Sequence, residues 1–249
     1  MELIITENYE EMSAAAAEIV VSLLKQKPAA TLALTTGNTP LRLYEKLIEL
    51  QQSEQISLRE TTIFSTEEYL GISEDAYFSL YNWLKRSLLQ PCDIKPDQII
   101  RLKGDALHPD KECEYFSQQI EQYGGLDIII EGLGTNGHIG FNEPGTKQNS
   151  RTRVVTLSEE TKEYNFQYWN HEVPDRAMTI GMSEILAAKK IVLLASGTKK
   201  AEALYKALKG PVTSEFPASF LRLAEQLTVI ADKDAAQLFM QEESVWQST

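Results

Sequence analysis

Hydrophobic and polar positions along the 249-residue chain alternate between two kinds of segment. The first kind is a short, continuous run rich in Val, Ile and Leu. Such runs occur at Leu3–Thr6, Thr31–Leu34, Thr61–Phe64, Asp127–Ile130, Val154–Leu157, Ile191–Ala195 and Leu227–Ala231. Because polarity does not alternate within them, they predict strands that are covered on both faces, as in a parallel sheet.

The second kind of segment is longer and amphipathic, with apolar residues recurring every three or four positions. These segments, which predict helices, are Tyr9–Lys25, Leu41–Gln51, Tyr77–Leu89, Asp110–Tyr123 and Lys200–Lys209. Strands and helices alternate along the chain, so we expect a doubly wound α/β fold with a mainly parallel sheet and helices on both faces. No linker, repeat or low-complexity tract interrupts the pattern, and we expect a single domain over residues 1–249.

Composition narrows the class of protein without identifying a function. Hydrophobic residues make up 43% and charged residues 24% of the chain, values that are typical of a folded globular protein. The formal net charge of −12 disfavours binding to nucleic acid or to an anionic membrane, because both are negatively charged. We therefore expect neither partner, and a small anionic ligand would need a local arrangement of donors.

The cysteines and the N-terminal residues indicate the cellular compartment. Cys92 and Cys113 lack the spacing of a disulfide framework or a zinc site. Residues 1–9 contain neither a basic leader nor an apolar run long enough to span a bilayer. We therefore expect a cytoplasmic protein that holds no metal.

The longest stretch without clear periodicity runs from Gly132 to Arg151, and loops of that length are often functional. Its first glycines, at positions 132, 134 and 137, form a GxGxxG pattern directly after a predicted strand. A dinucleotide-binding loop must continue into a helix, whereas Pro144 and two further glycines prevent a helix here. We therefore reject a nicotinamide cofactor and expect no cofactor of any kind.

The same loop contains Asn136, His138 and Glu143 at the carboxyl end of a strand, where open α/β sheets place their ligands. Histidine exchanges protons near neutral pH, and a neighbouring carboxylate and amide can fix its tautomer. The alternative is a histidine that is hydrogen-bonded within the loop and has only a structural role. The cluster of three polar residues favours the catalytic interpretation.

Other predicted strands also end in polar residues. Thr36, Gly37, Asn38 and Thr39 follow the second strand, Glu67 and Glu68 follow the third, and Lys200 follows the sixth. Free backbone N–H groups at a helix start, with Thr39 as the expected N-cap, and a lysine in a first helical turn are suited to bind phosphate. Adjacent carboxylates can differ in pKa, which leaves one as a base. The structural alternatives are a capped turn, a solvated loop and an exposed helix face.

Together these motifs resemble the glucosamine-6-phosphate deaminase family, whose members are also called glucosamine-6-phosphate isomerases, and the resemblance covers nearly the whole chain. The matching stretches read TTGNTP, EEYLG, GLGTNGHIGFNEPGT, SRTRVVTLSEETK, VPDRAMTIGM, SGTKKAEAL and KGPVTSEFPAS. The related 6-phosphogluconolactonases share the fold and a Gly-His pair, but they typically lack the Asn-Glu-Pro that follows Phe141 here.

The resemblance implies a metal-free conversion of glucosamine 6-phosphate and water to fructose 6-phosphate and ammonia. By position, His138 would open the sugar ring with support from Glu143 and Asn136. Glu67 would move the C2 proton to C1, with Glu68 as its acidic neighbour. Gly37, Asn38 and Thr39, together with Lys200, would hold the sugar phosphate.

Two positions depart from the family pattern. Glu67 stands where the family has an aspartate, and its extra methylene displaces the carboxylate by about a bond length. Gln167 stands where many members have an arginine that clamps the substrate phosphate, so a charged contact becomes neutral.

These departures leave other functions open. The alternatives are a galactosamine-6-phosphate deaminase, a 6-phosphogluconolactonase, and a sugar-phosphate-binding protein with impaired catalysis. The expected partner is a small sugar phosphate, and the protein is expected to be a monomer or a homo-oligomer.

Overall fold

The computed structural model describes residues 1–246 of the chain. Its strands are β1 (Glu2–Thr6), β2 (Thr31–Leu34), β3 (Thr62–Ser65), β4 (Glu67–Tyr69), β5 (Ile99–Arg101), β6 (Ile128–Gly132), β7 (Arg153–Thr156), β8 (Arg176–Thr179), β9 (Ile191–Ala195) and β10 (Leu227–Asp232). Its α-helices are α1 (Tyr9–Gln26), α2 (Asn38–Gln52), α3 (Leu80–Leu84), α4 (Pro109–Gln122), α5 (Glu159–Trp169), α6 (Met182–Leu186), α7 (Ala201–Lys209) and α8 (Lys233–Trp246). A π-helical turn (Lys85–Leu89) continues α3, and 3₁₀ turns occur at Pro96–Gln98, Thr198–Lys200 and Pro217–Leu223.

Within these residues, seven strands form one parallel sheet in the order β1-β10-β9-β6-β2-β3-β5. Successive side chains of a strand point to opposite faces, and both faces of this sheet are covered. Ile128 and Ile130 of β6 pack in a core with α1 and α2, whereas Ile129 packs in a second core with α4, α7 and α8. The predicted doubly wound α/β fold is confirmed.

A second sheet differs from the prediction. Among the described residues, β4, β8 and β7 form a three-stranded antiparallel sheet. The run Val154–Leu157 was expected in the main parallel sheet, but it corresponds to β7 of this small sheet. Its apolar pattern is compatible with either sheet, because β7 packs a half-buried Val154 against the main core and Val155 against a smaller cluster around Tyr69.

Side-chain caps explain where several helices begin. The side chains of Asn8, Ser79 and Ser158 accept hydrogen bonds from the backbone N–H groups of Glu11, Asn82 and Thr161, at the starts of α1, α3 and α5. Such caps satisfy N–H groups that have no partner inside the helix. None of the helices within residues 1–246 combines the length and apolar character that crossing a bilayer requires.

The topology brings several loops to one edge of the main sheet. β2, β6 and β9 are parallel, and β6 lies between the other two. Their carboxyl ends therefore lead into neighbouring loops, which begin at Thr35, Leu133 and Ser196. This edge is the position where α/β sheets bind their ligands.

Candidate active site

A cavity of about 150 Å³ opens at this edge of the sheet. Two loops and one helix supply most of its lining. The loop after β2 contributes residues 35–39, the glycine-rich loop contributes Gly132, Leu133, Gly134, Thr135, His138, Gly140 and Phe141, and α5 contributes Glu160, Thr161, Tyr164, Asn165, Tyr168 and Trp169. Glu67, Tyr69, Leu80 and Lys200 complete the lining. Most of the residues that the sequence singled out therefore meet at one place.

The loop after β2 presents backbone N–H groups to the cavity. Gly37 has φ 110°, a conformation that side-chain-bearing residues rarely adopt, and it is the N-cap of α2. The expected N-cap, Thr39, instead lies inside the first turn, because α2 begins at Asn38. No side chain caps this helix start, so its N–H groups remain available to an anion.

Two tyrosines hold that loop in place. Tyr9 of α1 donates its hydroxyl to the Asn38 carbonyl at 2.7 Å and accepts from the Arg42 N–H at 3.0 Å. The buried Tyr44 hydroxyl donates to the Thr35 carbonyl at 2.6 Å. These hydrogen bonds therefore hold the loop in place in the unliganded protein.

Lys200 lines the same cavity, and it lies at the end of the 3₁₀ turn that precedes α7. Burial lowers the pKa of its ammonium group, and the negative charge of Glu160 offsets part of that effect. Asp232 of β10 shapes the turn, because its carboxylate accepts from the Ser196 hydroxyl and the Gly197 N–H. Lys199 is exposed instead.

Glu67 is buried at the start of β4 and faces the cavity. Its Oε1 accepts hydrogen bonds from the Thr35 hydroxyl at 2.8 Å and the Thr36 N–H at 3.2 Å, and its Oε2 accepts from the Thr66 hydroxyl at 2.8 Å. Burial raises the pKa of this carboxyl, whereas the donors stabilise its ionised form and oppose the rise. A fixed carboxylate with a raised pKa is suited to accept a proton from carbon.

His138 and Glu143 form the second reactive group. His138 Nδ1 lies 3.8 Å from Glu143 Oε2, which also accepts from the Asn136 amide at 3.1 Å. Glu143 Oε1 accepts from the hydroxyls of Ser158 and Thr161 at 3.1 and 2.5 Å. Burial lowers the pKa of His138, and the Glu143 charge opposes this effect. The lowered pKa favours the neutral imidazole, which is the form that can accept a proton.

Two glycines of the GxGxxG pattern allow aromatic rings to pack closely against this loop. A Cβ atom at Gly134 would lie 2.6 Å from the His138 ring, and one at Gly137 would lie 2.6 Å from the Phe216 ring. The next helix after this loop is α5, which begins at Glu159. The pattern therefore reflects close ring contacts in a long loop that no helix follows directly.

Four of the expected site residues do not line the cavity. Asn136 and Glu143 lie beside His138, whereas Glu68 and Gln167 lie elsewhere. The Glu68 carboxylate accepts from the N–H groups of Tyr69, Leu80 and Tyr81 and from the Ser79 hydroxyl, so it holds the start of α3. Gln167 is exposed on α5 and is not among the residues that line the cavity. Neither side chain is positioned to contact a ligand in the cavity.

Sequence reasoning missed Asn165, an amide residue of α5 that lines the cavity. Its Nδ2 is buried and has no hydrogen-bond partner among residues 1–241. No sequence signal singles it out, because positions 161, 164, 165 and 168 share one helix face but their spacing does not show which way that face points. In the described part of the chain, no group of three His, Cys, Asp or Glu side chains is arranged to hold a metal ion.

A model of the family of glucosamine-6-phosphate isomerases and 6-phosphogluconolactonases matches residues 6–230. The chain belongs to that family. It is 41% identical over 239 residues to glucosamine-6-phosphate deaminase of Halalkalibacterium halodurans, covering 95% of this chain and 97% of that one. It is 42% identical over 240 residues to glucosamine-6-phosphate deaminase 1 of Bacillus subtilis, covering 96% of this chain and 99% of that one.

Solved structures agree with this membership. A monomeric glucosamine-6-phosphate deaminase superimposes with a TM-score of 0.93 at 42% identity, covering 96% of this chain and 100% of that one. The 6-phosphogluconolactonase of Trypanosoma brucei gives a TM-score of 0.77 at 22% identity, covering 95% and 97% of the two chains, and this likeness shows the fold alone. The chain therefore has the fold of this enzyme family. The two relatives at 41% and 42% identity are both named as deaminases.

Proposed function

We propose that the protein converts glucosamine 6-phosphate and water to fructose 6-phosphate and ammonia. The observation that carries this proposal is the placement of Glu67 and His138 in the lining of one cavity. The reaction needs two proton transfers, one at the anomeric oxygen and one between carbon atoms. The site offers one acid–base group for each. The names of the relatives that match along the whole chain support the same reaction.

The proposed binding step fixes the substrate phosphate. The N–H groups at the start of α2, around Gly37, Asn38 and Thr39, donate to its oxygens, and Lys200 supplies a positive charge from the turn before α7. The Thr36 hydroxyl lines the same part of the cavity. These local donors hold the anion although the protein carries a net charge of −12.

The proposed ring opening uses His138. Its neutral imidazole takes the proton of the anomeric hydroxyl and returns a proton to the ring oxygen, which gives the open-chain aldehyde. Glu143 stabilises the imidazolium that forms in between, because its carboxylate lies 3.8 Å from Nδ1. Asn136 in turn orients Glu143 through its amide.

The proposed isomerisation uses Glu67. The carboxylate removes the proton from C2, the electron pair forms the C1–C2 double bond of an enolamine, and the C1=O π electrons move to the aldehyde oxygen. Glu67 then delivers the same proton to C1 while the nitrogen lone pair forms the C2=N bond. The nitrogen gives one of its protons to the C1 oxygen, which becomes a hydroxyl. The nitrogen remains at C2 as an imine, which water hydrolyses to release ammonia and fructose 6-phosphate. In this scheme, the Asn165 amide is the hydrogen-bond donor that α5 offers to the reacting sugar. Gln167 and Glu68 have no role in it, because neither residue lines the cavity.

The reaction is tested by incubating the purified protein with glucosamine 6-phosphate and measuring ammonia and fructose 6-phosphate. We expect both products in equal amounts. Galactosamine 6-phosphate and 6-phosphogluconolactone are assayed in parallel, because faster turnover of either one would replace the proposed substrate. Saturable binding of glucosamine 6-phosphate without product would indicate a binding protein instead.

We further propose that the enzyme acts in the cytoplasm on this small substrate, as a monomer or a homo-oligomer. Cys92 and Cys113 are free and buried, which fits a reducing compartment. Size-exclusion chromatography with light scattering gives the oligomeric state directly.

A further inference from the structure

A second acidic side chain, Glu131, lies in β6 directly before Gly132 of the cavity wall. It is fully buried. Within residues 1–241, neither of its carboxyl oxygens has a hydrogen-bond partner. A buried carboxylate without partners is costly, and such a group keeps its proton when it can.

Gly140 lies against Glu67 and close to the Glu131 carboxyl. A Cβ atom at Gly140 would lie 3.3 Å from Glu67 Oε2, so the chain passes directly against that carboxylate. The Gly140 N–H stabilises a charge on Glu131 without reaching the geometry of a hydrogen bond. Burial and the charge of Glu67 together raise the pKa of Glu131 well above its usual value.

The surroundings of the pair supply no compensating cation from the neighbouring strands. β2 and β9, which pair with β6, consist of Thr, Leu, Ala, Ile and Val. The titratable groups that face Glu131 are Glu67 from β4 and Tyr44 from α2. Burial and the charge of Glu67 raise the pKa of Tyr44 well above its usual value, so the phenol stays neutral.

The two carboxyls differ in the donors that they receive. Glu67 accepts from Thr35, Thr36 and Thr66, all of which stabilise its ionised form. Glu131 has no comparable donor in the described part of the chain. When two carboxyls in a buried site hold one proton between them, the proton resides on the group with the poorer hydrogen bonds.

We propose that Glu131 holds a proton at neutral pH and acts as a positioning residue for Glu67, so that the buried pair carries a single negative charge and this charge lies on Glu67. The inference rests on the proposed role of Glu67 as the base. Ionisation of Glu131 at alkaline pH places a second negative charge beside the cavity and opposes the removal of a proton from C2. Glu131 therefore sets the upper pH limit of the reaction, whereas Glu67 contributes to the lower limit.

The location of the proton is tested by infrared spectroscopy of the unliganded protein at neutral pH, a measurement that is independent of turnover. We expect a C=O stretch of a protonated carboxylic acid that is lost in Glu131→Gln. Glu184→Gln serves as the matched control. Glu184 is also buried, but it accepts from Ser117, Thr152 and the Gly181 N–H, and its replacement should keep the band. A band that persists in Glu131→Gln would overturn the proposal.

The effect on the reaction is tested by the pH profile of kcat/KM for the same variants. Glu131→Gln should keep the acid limb in place and move the alkaline limb to higher pH. An acid limb that moves to lower pH would show that Glu131 is ionised and raises the pKa of Glu67, contrary to the proposal. An unchanged profile would equally contradict it. If no variant and no wild-type preparation turns over the sugar, the proposed function fails, while the infrared result still decides where the proton lies.

A stability measurement separates this role from a structural one. Replacing a buried polar group that lacks partners by an apolar side chain of similar size is neutral or stabilising. Glu131→Leu should therefore keep or raise the melting temperature, whereas Glu184→Gln should lower it. A lower melting temperature for Glu131→Leu would show that the ionised carboxyl stabilises the fold.

Discussion

At the scale of single residues, the proposed opening of the sugar ring depends on His138. His138→Ala removes the imidazole that exchanges the proton, and positioned acid–base catalysis is worth about 10²–10⁴-fold. We expect kcat for glucosamine 6-phosphate to fall by that factor with an unchanged melting temperature. His108→Ala is the control, because His108 is exposed at the start of α4 and lies outside the cavity lining. Activity of His138→Ala within about tenfold of wild type would remove this residue from the mechanism.

Gly140 tests how tightly Glu67 must be held. Gly140 has φ 54°, and an added Cβ would lie 3.1 Å from Thr179 Oγ1 and 3.3 Å from Glu67 Oε2. We expect Gly140→Ala to lower kcat by up to about a hundredfold, because small displacements of a catalytic group have effects of that size. Gly145→Ala is the control, since Gly145 has φ 91° but no atom within 4 Å of an added Cβ.

Both alanine variants should lose about 1–2 kcal/mol of stability through backbone strain, and chemical denaturation measures this loss. Only Gly140→Ala should lose turnover as well. Equal kcat values for the two variants would show that Glu67 tolerates displacement.

Residue-scale features are also where prediction from sequence fell short. The sequence identified the loops around His138, Gly37 and Lys200, because glycine, proline and polar residues after apolar runs are local signals. It could not show that Asn165 rather than Gln167 faces the cavity, since the rotation of a helix about its axis depends on tertiary packing. The extra methylene of Glu67 suggested a misplaced base, yet Thr35 and Thr66 hold its carboxylate.

At the scale of elements, the contact between α1 and the start of α2 positions the loop that we propose to bind the phosphate. Tyr9→Phe removes the hydroxyl that bridges the Asn38 carbonyl and the Arg42 N–H. One hydrogen bond contributes about 0.5–1.5 kcal/mol, so we expect KM to rise by up to about tenfold with kcat nearly unchanged.

Ser53→Ala is the control for this variant, because it removes a side-chain hydrogen bond to the Glu49 carbonyl at the opposite end of α2. Steady-state kinetics of both variants give the comparison. A loss confined to kcat in Tyr9→Phe would show that this tyrosine acts on the chemical step instead of on binding.

The elements of the main sheet were largely predictable, because six of the apolar runs correspond to β1, β2, β3, β6, β9 and β10. The short strands β4, β5 and β8 escaped prediction. β4 and β5 have only three residues each, too few to carry a recognisable periodicity. β7 was assigned to the wrong sheet, since an apolar run does not specify its partner strand. α5 was missed because its aromatic residues lie both towards the cavity and towards solvent, as Tyr168 and Phe166 illustrate.

At the scale of the whole molecule, Asp127 ties distant parts of the chain together. Its buried carboxylate contacts Lys27 Nζ at 2.6 Å, Lys189 Nζ at 2.8 Å and the Thr31 N–H at 2.8 Å. These partners, with burial acting against them, hold the pKa of Asp127 well below its usual value. A carboxyl with a lowered folded-state pKa stabilises the fold above its unfolded pKa of about 3.9, and this stabilisation is lost as the pH falls towards the folded-state pKa.

We therefore expect Asp127→Asn to lower the free energy of unfolding by roughly 2–3 kcal/mol at neutral pH. The difference from wild type should shrink steadily below about pH 4. Urea denaturation of both proteins across that range measures it. A difference that stays constant with pH would assign the effect of Asp127 to its hydrogen bonds alone.

In the proposed mechanism, the α/β sheet, the loops at its edge and the two acid–base groups direct one carboxylate, that of Glu67, at the C2 proton of a bound sugar phosphate. The most direct measurement of that claim is the rate at which Glu67→Gln releases ammonia from glucosamine 6-phosphate, beside wild type and with circular dichroism as the check on folding. The proposed mechanism predicts that kcat falls at least about a hundredfold while KM changes little, because the amide keeps the shape but cannot accept the proton. A folded Glu67→Gln variant that releases ammonia within about tenfold of the wild-type rate would contradict it.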